Sequence, residues 1–147
     1  MGNGRVKMSS WNDKSKVGID IIDRDHHRLF DLIDTIQAEH VKTQQNKDVI
    51  LNVIRELRNY TNTHFKREEA LMIASDYDIE AFNPHRVEHE YFENMVRAVD
   101  ILYKNNEELI NIDKLMGILR TWLTHHIGIV DRAYVQSVNT FCKRFKS

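Results

Sequence analysis

Turn-forming residues are scarce in this chain. Its 147 residues include one proline, Pro84, and five glycines. Since glycine and proline mark most chain reversals, this composition favours a few long elements joined by few turns. Cysteine is equally scarce. The single Cys142 cannot form a disulfide within the chain, which fits a reducing cytoplasm.

Long apolar runs and an excess of charge of one sign are also lacking. The longest uninterrupted apolar run is Ala70 to Ala74, far short of the roughly 20 residues of a membrane-spanning helix. The 21 basic and 22 acidic residues nearly balance, so no basic surface predicts nucleic-acid binding. Residues 1–10 lack the apolar core of a signal peptide. We therefore expect a cytoplasmic protein without a membrane span or a nucleic-acid partner.

What the chain does contain is helical periodicity in four blocks. Apolar residues recur at spacings of three and four, and several histidines fall within the same stripes. The stripes are Ile22, His26, Leu29, Ile33 and Ile36; Ile50, Ile54, Leu57, Thr61, His64, Glu68 and Leu71; His85, His89, Phe92, Val96, Val99 and Tyr103; and Leu115, Leu119, Trp122, His126 and Val130. Each stripe is one face of a helix that must be buried against the others.

These blocks predict an all-α fold, an up-down-up-down antiparallel four-helix bundle with an N-terminal arm and a short C-terminal helix. We expect a single domain over residues 1–147, with the arm at 1–16, the bundle at 17–131 and the last helix at 132–147. Asn83 followed by Pro84 is typical of an N-cap and a first helical residue. We therefore expect the third helix to begin there.

Six polar residues occupy stripe positions where a plain bundle would carry leucine. They are His26, His64, Glu68, His85, His89 and His126. Buried without partners, such groups cost roughly 1–3 kcal/mol each. They fall near the start, end, start and end of successive helices, and up-down threading brings those ends together. The pattern therefore predicts a metal site at one end of the bundle.

Spacing supports a shared site. Two pairs four residues apart share a helix face, namely His64 with Glu68 and His85 with His89. Asp131 follows His126 by five residues, about 140° around an ideal helix. Asp131 therefore aligns less well, and we expect it to reach the site through a local bulge or through fraying of the last turn.

The number of donors indicates two ions. Five imidazoles and two carboxylates exceed the four ligands of a tetrahedral zinc site. Two six-coordinate ions offer about twelve positions, and five histidines, two bridging carboxylates and a bridging hydroxide fill all but one. An open position beside a redox-active pair of ions is a ligand-binding site. Imidazole suits iron, copper, nickel and zinc, so donor type alone leaves the metal open.

The order of these residues resembles the signature of hemerythrins, most closely the bacterial ones. It runs His26, then His64-x-x-x-Glu68, His85-x-x-x-His89 and His126-x-x-x-x-Asp131. The flanking segments are similar too, at Val17-Gly18-Ile19-Asp20, Leu29-Phe30 and Glu68-Glu69-Ala70-Leu71-Met72. The likeness spans residues 11–134, nearly the whole chain.

This resemblance implies a cofactor of two non-haem iron ions. The implied ligands are His85, His89 and His126 on one iron, His26 and His64 on the other, and Glu68 and Asp131 as bridges together with an oxo or hydroxo group. Dioxygen would bind reversibly at the iron with two histidine ligands. The resemblance further implies that Trp122, Leu123 and Ile127 line the oxygen pocket and that Tyr134 lies near it.

Four neighbouring residues are interpreted as lying outside the site. His27 and His125 fall off the apolar stripes, so we interpret both as non-ligands. Glu69 and Asp25 are interpreted as surface charges. Asp25 also stands where glutamine is common in the family, which would alter hydrogen bonding beside His26.

The implied function is oxygen transport, storage or delivery, without enzymatic turnover and with an unknown protein recipient. One alternative is oxygen or redox sensing, in which case the output would pass through a separate partner. The other is a di-iron oxidase or peroxidase. Carboxylate-rich di-iron oxidases use Glu-x-x-His pairs, and no histidine here has a glutamate three residues before it. Enzymatic oxygen activation is therefore disfavoured.

Overall fold

Four long helices and one short helix account for most of the chain in the computed structural model, which describes residues 11–42 and 46–145. The helices are α1 (Asp20–His40), α2 (Lys47–Ala74), α3 (Ile79–Asn106), α4 (Ile112–His125) and α5 (Val135–Arg144). A π-helix (His126–Val130) and a 3₁₀ helix (Asp131–Tyr134) join α4 to α5, and further 3₁₀ helices lie at Asp13–Ser15 and Glu107–Leu109. No strand occurs in those two described ranges. The predicted all-α four-helix bundle is confirmed.

Side-chain caps begin three of the four bundle helices. The side chain of Asn46 accepts a hydrogen bond from the backbone N–H of Val49 at the start of α2. Asn111 does the same for Lys114 at the start of α4. Asp78 caps α3 by accepting from the backbone N–H of Glu80. These oxygens satisfy amides that have no partner within the helix.

The predicted start of α3 at Asn83 and Pro84 is wrong. α3 begins at Ile79 with Asp78 as its N-cap, so Pro84 lies in the second turn of the helix. Proline lacks the backbone N–H that would bond to the carbonyl of Glu80. The Asn-Pro pair is a common helix-start signature, but here the true cap lies upstream, where Asp78 meets the first turn.

The core is apolar away from the histidines and is formed by all four long helices. Its fully buried side chains include Leu29, Ile33, Ile36, Ile50, Ile54, Leu57, Phe92, Val96, Met116 and Leu119. In α4 the buried face differs from the predicted one. Ile112 and Leu123 are buried, whereas Leu115 and Trp122, and Val130 in the following π-helix, are only half-buried. Two apolar stripes overlap on this helix, and the one that includes Ile112, Met116, Leu119 and Leu123 packs inward.

The described part of the N-terminal arm is held against the bundle. The Trp11 ring stacks on the ring of His27, with centroids 5.2 Å apart. The guanidinium of Arg132 donates to the backbone carbonyls of Lys14 and Lys16. Residues 1–10 of the predicted arm lie outside the described residues, so the predicted bounds of arm, bundle and last helix stay a prediction.

The turn into α1 requires glycine. Gly18 has a φ of +93°, in the left-handed region that side chains rarely adopt. The carboxylate of Asp23 accepts from the backbone N–H groups of both Val17 and Gly18. This turn fixes where α1 begins, and hence the height of His26 in the bundle.

None of the described helices is both long enough and apolar enough to cross a lipid bilayer.

The position of the α3 cap can be tested by a pair of substitutions. Asp78→Ala should lower the free energy of unfolding by about 1 kcal/mol because it removes the capping oxygen. Asn83→Ala should leave it unchanged or slightly higher, because alanine is the better helix former at an exposed position. Urea unfolding of both variants and the parent protein, all without metal, measures the difference. The reverse order of stabilities would restore Asn83 as the cap.

Candidate metal centre

Seven buried side chains meet at one end of the bundle. They form two groups whose donor atoms lie within 4.8 Å of one another, Glu68, His85, His89, His126 and Asp131 in one and His26, His64 and Glu68 in the other. All seven are buried. The structure thus brings together every residue that the sequence predicts as a ligand. We refer to the two groups as the three-histidine half and the two-histidine half.

Each histidine presents its Nε2 to a carboxylate oxygen. His85 Nε2 and His126 Nε2 are both 3.0 Å from Asp131 Oδ1, and His89 Nε2 is 3.1 Å from Glu68 Oε1. Two ligand atoms at right angles, each about 2.1 Å from an ion, lie about 3 Å apart. The spacing of these atoms therefore suits ligands that share an ion.

Both carboxylates contact both halves of the cluster. Asp131 Oδ2 lies 3.1 Å from His26 Nε2, while its Oδ1 faces the three-histidine half. Glu68 Oε1 lies 3.4 Å from His64 Nε2 and Glu68 Oε2 lies 3.6 Å from His26 Nε2. Each carboxylate is therefore placed where it could bridge two ions.

The hydrogen bonding of these atoms provides a test of whether they fit a metal. The Nε2 atoms of all five histidines, Oε1 of Glu68 and both oxygens of Asp131 are buried without a hydrogen-bond partner. They lie close to one another, but their geometry is not that of hydrogen bonds. An unpartnered buried polar atom costs about 1–3 kcal/mol, so this arrangement is unfavourable unless something else satisfies it. Metal ions would do so, and the donor set fits them.

The π-helix places Asp131 in the site. It covers His126–Val130, directly between the last turn of α4 and Asp131. A π-helix has a wider turn than an α-helix, so residues five apart face the same side. The sequence predicted either a bulge or fraying of the helix end, and the structure has the bulge.

Three carboxylates outside the cluster hold histidines by their other ring nitrogen. Nδ1 of His64 lies 3.0 Å from Asp25, Nδ1 of His89 lies 2.8 Å from Glu69, and Nδ1 of His126 lies 2.9 Å from Glu88. An ionised carboxylate can only accept, so each Nδ1 carries a proton, and Nε2 is the ring nitrogen left to bind a metal. Outer carboxylates of this kind orient histidine ligands in metal sites.

The interpretation of Asp25 and Glu69 as surface charges is wrong. Asp25 is fully buried and also accepts from the hydroxyl of Tyr60 at 2.8 Å and from the guanidinium of Arg67. Asp25 was expected to alter hydrogen bonding beside His26, but its carboxylate contacts His64 instead. A signal was present in the sequence, since each outer carboxylate stands next to a predicted ligand on its own helix. A residue next to a ligand on an α-helix points about 100° away from that ligand, which here directs it toward the neighbouring helix.

The charges of the cluster are those of a cation site. Burial disfavours the charged form of His26, but the carboxylates of Asp131 and Glu68 raise its pKa to about 9. Burial also opposes the ionised form of Glu68, yet the surrounding histidines, His64 first, keep its pKa well below the usual value. For Asp25, hydrogen bonds from His64, Arg67 and Tyr60 outweigh burial and lower the pKa to about 2. The carboxylates are therefore anionic and available to a metal.

Two of the four residues predicted for the oxygen pocket, Trp122 and Tyr134, contact the cluster, and the pocket role of the other two stays a prediction. Leu123 and Ile127 are buried, and the hydroxyl of buried Tyr134 donates to Glu68 Oε2 at 2.6 Å. Trp122 is half-buried and stacks on His126, with ring centroids 4.5 Å apart. It therefore lies beside the three-histidine half, and its role in a pocket over the two-histidine half stays a prediction.

The histidines interpreted as non-ligands lie outside both groups. His27 is half-exposed, stacks on Trp11 and approaches Asp31 at 3.5 Å. His125 is exposed. Neither belongs to a group of side chains able to hold an ion among the described residues.

Fold and site together define a class: a four-helix bundle with a buried histidine and carboxylate cluster able to hold metal. The hemerythrin HHE cation-binding domain model matches residues 17–137. The chain therefore belongs to the hemerythrin family.

Individual relatives agree with this assignment. The chain is 34% identical to the bacteriohemerythrin of Pseudomonas paraeruginosa over 87% of its own length and 80% of that protein. It is 30% identical to the bacteriohemerythrin of Stenotrophomonas maltophilia, over 92% and 84% of the two chains. Hemerythrin of Phascolopsis gouldii is 30% identical, over 84% and 88%. A solved structure of wild-type hemerythrin shares the fold, with a TM-score of 0.76 at 23% identity, covering 90% of this chain and 98% of that one.

The hydrogen bond from Tyr134 to Glu68 can be tested against a matched control. Tyr134→Phe should lower the free energy of unfolding of the metal-free protein by about 1.5–3 kcal/mol, because a bond to a charged group is lost. Tyr103 is also buried, but its hydroxyl has no partner among the described residues. Tyr103→Phe should therefore be neutral or stabilising. Equal effects of both substitutions in urea unfolding would contradict the assigned bond.

Proposed function

We propose that this chain holds two non-haem iron ions and binds dioxygen reversibly, for oxygen transport, storage or delivery. The observation that carries the proposal is the pair of donor groups that share Glu68, with Asp131 also 3.1 Å from His26 and the histidine Nε2 atoms unpartnered. Membership of the hemerythrin family supports iron over the other metals that imidazole accepts.

In this proposal, the residues have distinct roles. The three-histidine half (His85, His89 and His126) would complete one coordination shell, whereas His26 and His64 supply one imidazole fewer. Glu68 and Asp131 would hold both ions together with an oxo or hydroxo group, and the two-histidine half, with one imidazole fewer, would be the side that takes up dioxygen. Two ferrous ions together supply the two electrons that reversible dioxygen binding requires.

The surroundings of the cluster favour binding over turnover. Leu123 and Ile127 are buried and would help to exclude water from this end of the bundle, and Tyr134 donates to Glu68 through its hydroxyl. Exclusion of water suppresses side reactions at a reactive centre. We therefore propose a binding protein rather than an enzyme, with dioxygen as its small-molecule partner. The cytoplasmic location and the single-domain organisation are part of the same proposal.

Loading with iron tests the function directly. The metal-free protein would be incubated with ferrous iron under nitrogen, its iron counted, and air then admitted while the visible spectrum is recorded. We expect two irons per chain and an absorption band that appears with oxygen and vanishes on its removal. His26→Ala should abolish the band, because the two-histidine half loses a ligand. His27→Ala, one residue away and half-exposed, should retain it.

Other outcomes would contradict parts of this proposal. One iron or none per chain would contradict the dinuclear centre, while immediate irreversible oxidation would contradict reversible carriage. Sustained consumption of oxygen with an added reductant would favour the oxidase alternative. Loss of the band in both histidine variants would contradict the specific role of His26, because substitution of a non-ligand would then have the same effect.

A further inference from the structure

The carboxylate of Asp25 differs from the other two outer carboxylates in its burial and its partners. Its side chain is 2% exposed, against 23% for Glu69 and 41% for Glu88. It accepts from three donors, His64 Nδ1 at 3.0 Å, the Tyr60 hydroxyl at 2.8 Å and the Arg67 guanidinium. A buried carboxylate that accepts from three donors is held in one position, so Asp25 can in turn hold its partners in place.

We propose that Asp25 is a positioning residue that fixes His64 and adds a buried negative charge to the two-histidine half. This inference rests on the proposed dinuclear metal centre and concerns the properties of that half. It assigns to Asp25 a stronger influence on the metal than to Glu88, although both contact a histidine.

The geometry fixes the ring of His64. Asp25 Oδ2 is shared between His64 Nδ1 and the guanidinium of Arg67, and Oδ1 accepts from Tyr60. Both carboxylate oxygens are therefore held, and the ring has one favourable orientation. In that orientation Nδ1 bears the proton and Nε2 faces Glu68 at 3.4 Å.

The charge acts on one half more than on the other. His26, the second imidazole of the two-histidine half, has a buried Nδ1 without a partner among the described residues. Asp25 is therefore the outer carboxylate of that half, and its burial limits screening by water. A negative charge there favours the more highly charged state of the nearby ion and makes His64 a better donor. The positive charge of Arg67 offsets part of this effect.

Titration with Co²⁺ under nitrogen tests the inference without relying on oxygen binding. The wild-type protein should bind two Co²⁺ ions in two measurable steps. Asp25→Asn keeps the shape of the side chain and removes its charge, and should weaken one of the two steps by about 10–100-fold. Glu88→Gln is the matched control. Because Glu88 is exposed, we expect it to weaken binding by about fivefold or less.

A spectroscopic signature separates positioning from a merely structural role. In the Co²⁺-loaded protein, the Nδ1 proton of His64 should give a hyperfine-shifted NMR signal that exchanges slowly with D₂O. Asp25→Asn should accelerate this exchange or remove the signal. The reduction potential of the iron-loaded variant should also shift to a more positive value, since the oxidised ions lose a stabilising charge.

A second variant keeps the inference testable if Asp25→Asn does not fold. Arg67→Gln leaves Asp25 in place and removes its positive partner. It should shift the reduction potential in the opposite direction, to a more negative value, and strengthen Co²⁺ binding in the same step. Shifts of equal sign in the two variants would overturn the assigned effect of charge.

The remaining outcomes separate this inference from the proposed function. If wild-type protein binds fewer than two Co²⁺ ions, the dinuclear centre itself fails. If it binds two, but Asp25→Asn and Glu88→Gln weaken binding equally, the role assigned to Asp25 fails and the centre stands. Loss of stability in Asp25→Asn, with unchanged binding steps and an unchanged N–H signal, would make Asp25 a structural residue only.

Discussion

The mutual crowding of unpartnered donor atoms at one end of the bundle is the constraint on which the rest of the structure depends. Five imidazole Nε2 atoms and three carboxylate oxygens are buried there without hydrogen bonds. An unpartnered buried polar atom costs about 1–3 kcal/mol, and the attraction of the carboxylates for His26, which raises its pKa to about 9, offsets part of that cost. The apolar remainder of the core must offset this cost whenever metal is absent. A metal bound at this cluster would therefore couple its binding to folding.

The end of α4 shows how the backbone adapts to that constraint. A regular α-helix would turn Asp131 away from His126, and the π-helix over His126–Val130 removes the mismatch. The same change of path leads through Asp131–Tyr134 into α5 and brings the Tyr134 hydroxyl to Glu68. One irregular segment thus supplies a histidine, a carboxylate and the hydrogen bond that holds the second carboxylate. π-Helices are rare and often mark functional sites for this reason.

Periodicity was sufficient to predict the bundle and the convergence of six of the seven side chains, because both follow from which helix face is buried. Asp131 lies off that face in a regular helix, and its place in the site depended on the expected bulge or frayed turn and on the family resemblance. Periodicity failed where a helix boundary depends on a single capping residue, and where a helix has a second buried or partly buried face. Asn83 and Pro84 carry a helix-start signature, but Asp78 caps α3. On α4, where two apolar stripes overlap, the predicted stripe included Leu115 and Trp122, which are only half-buried. Asp25 was interpreted as a surface charge because it lies off the core stripe, although it is buried against α2.

The outer carboxylates follow a common rule along the chain. Asp25 on α1 contacts His64 on α2, Glu69 on α2 contacts His89 on α3, and Glu88 on α3 contacts His126 at the end of α4. Each stands beside a predicted ligand on its own helix and reaches a histidine of the next helix. A ligand and an outer carboxylate on one helix therefore depend on the same rotation of that helix. A rotation of one helix against its neighbour would displace both the ligand and the outer carboxylate. The packing between the helices and the geometry of the candidate metal centre therefore depend on each other.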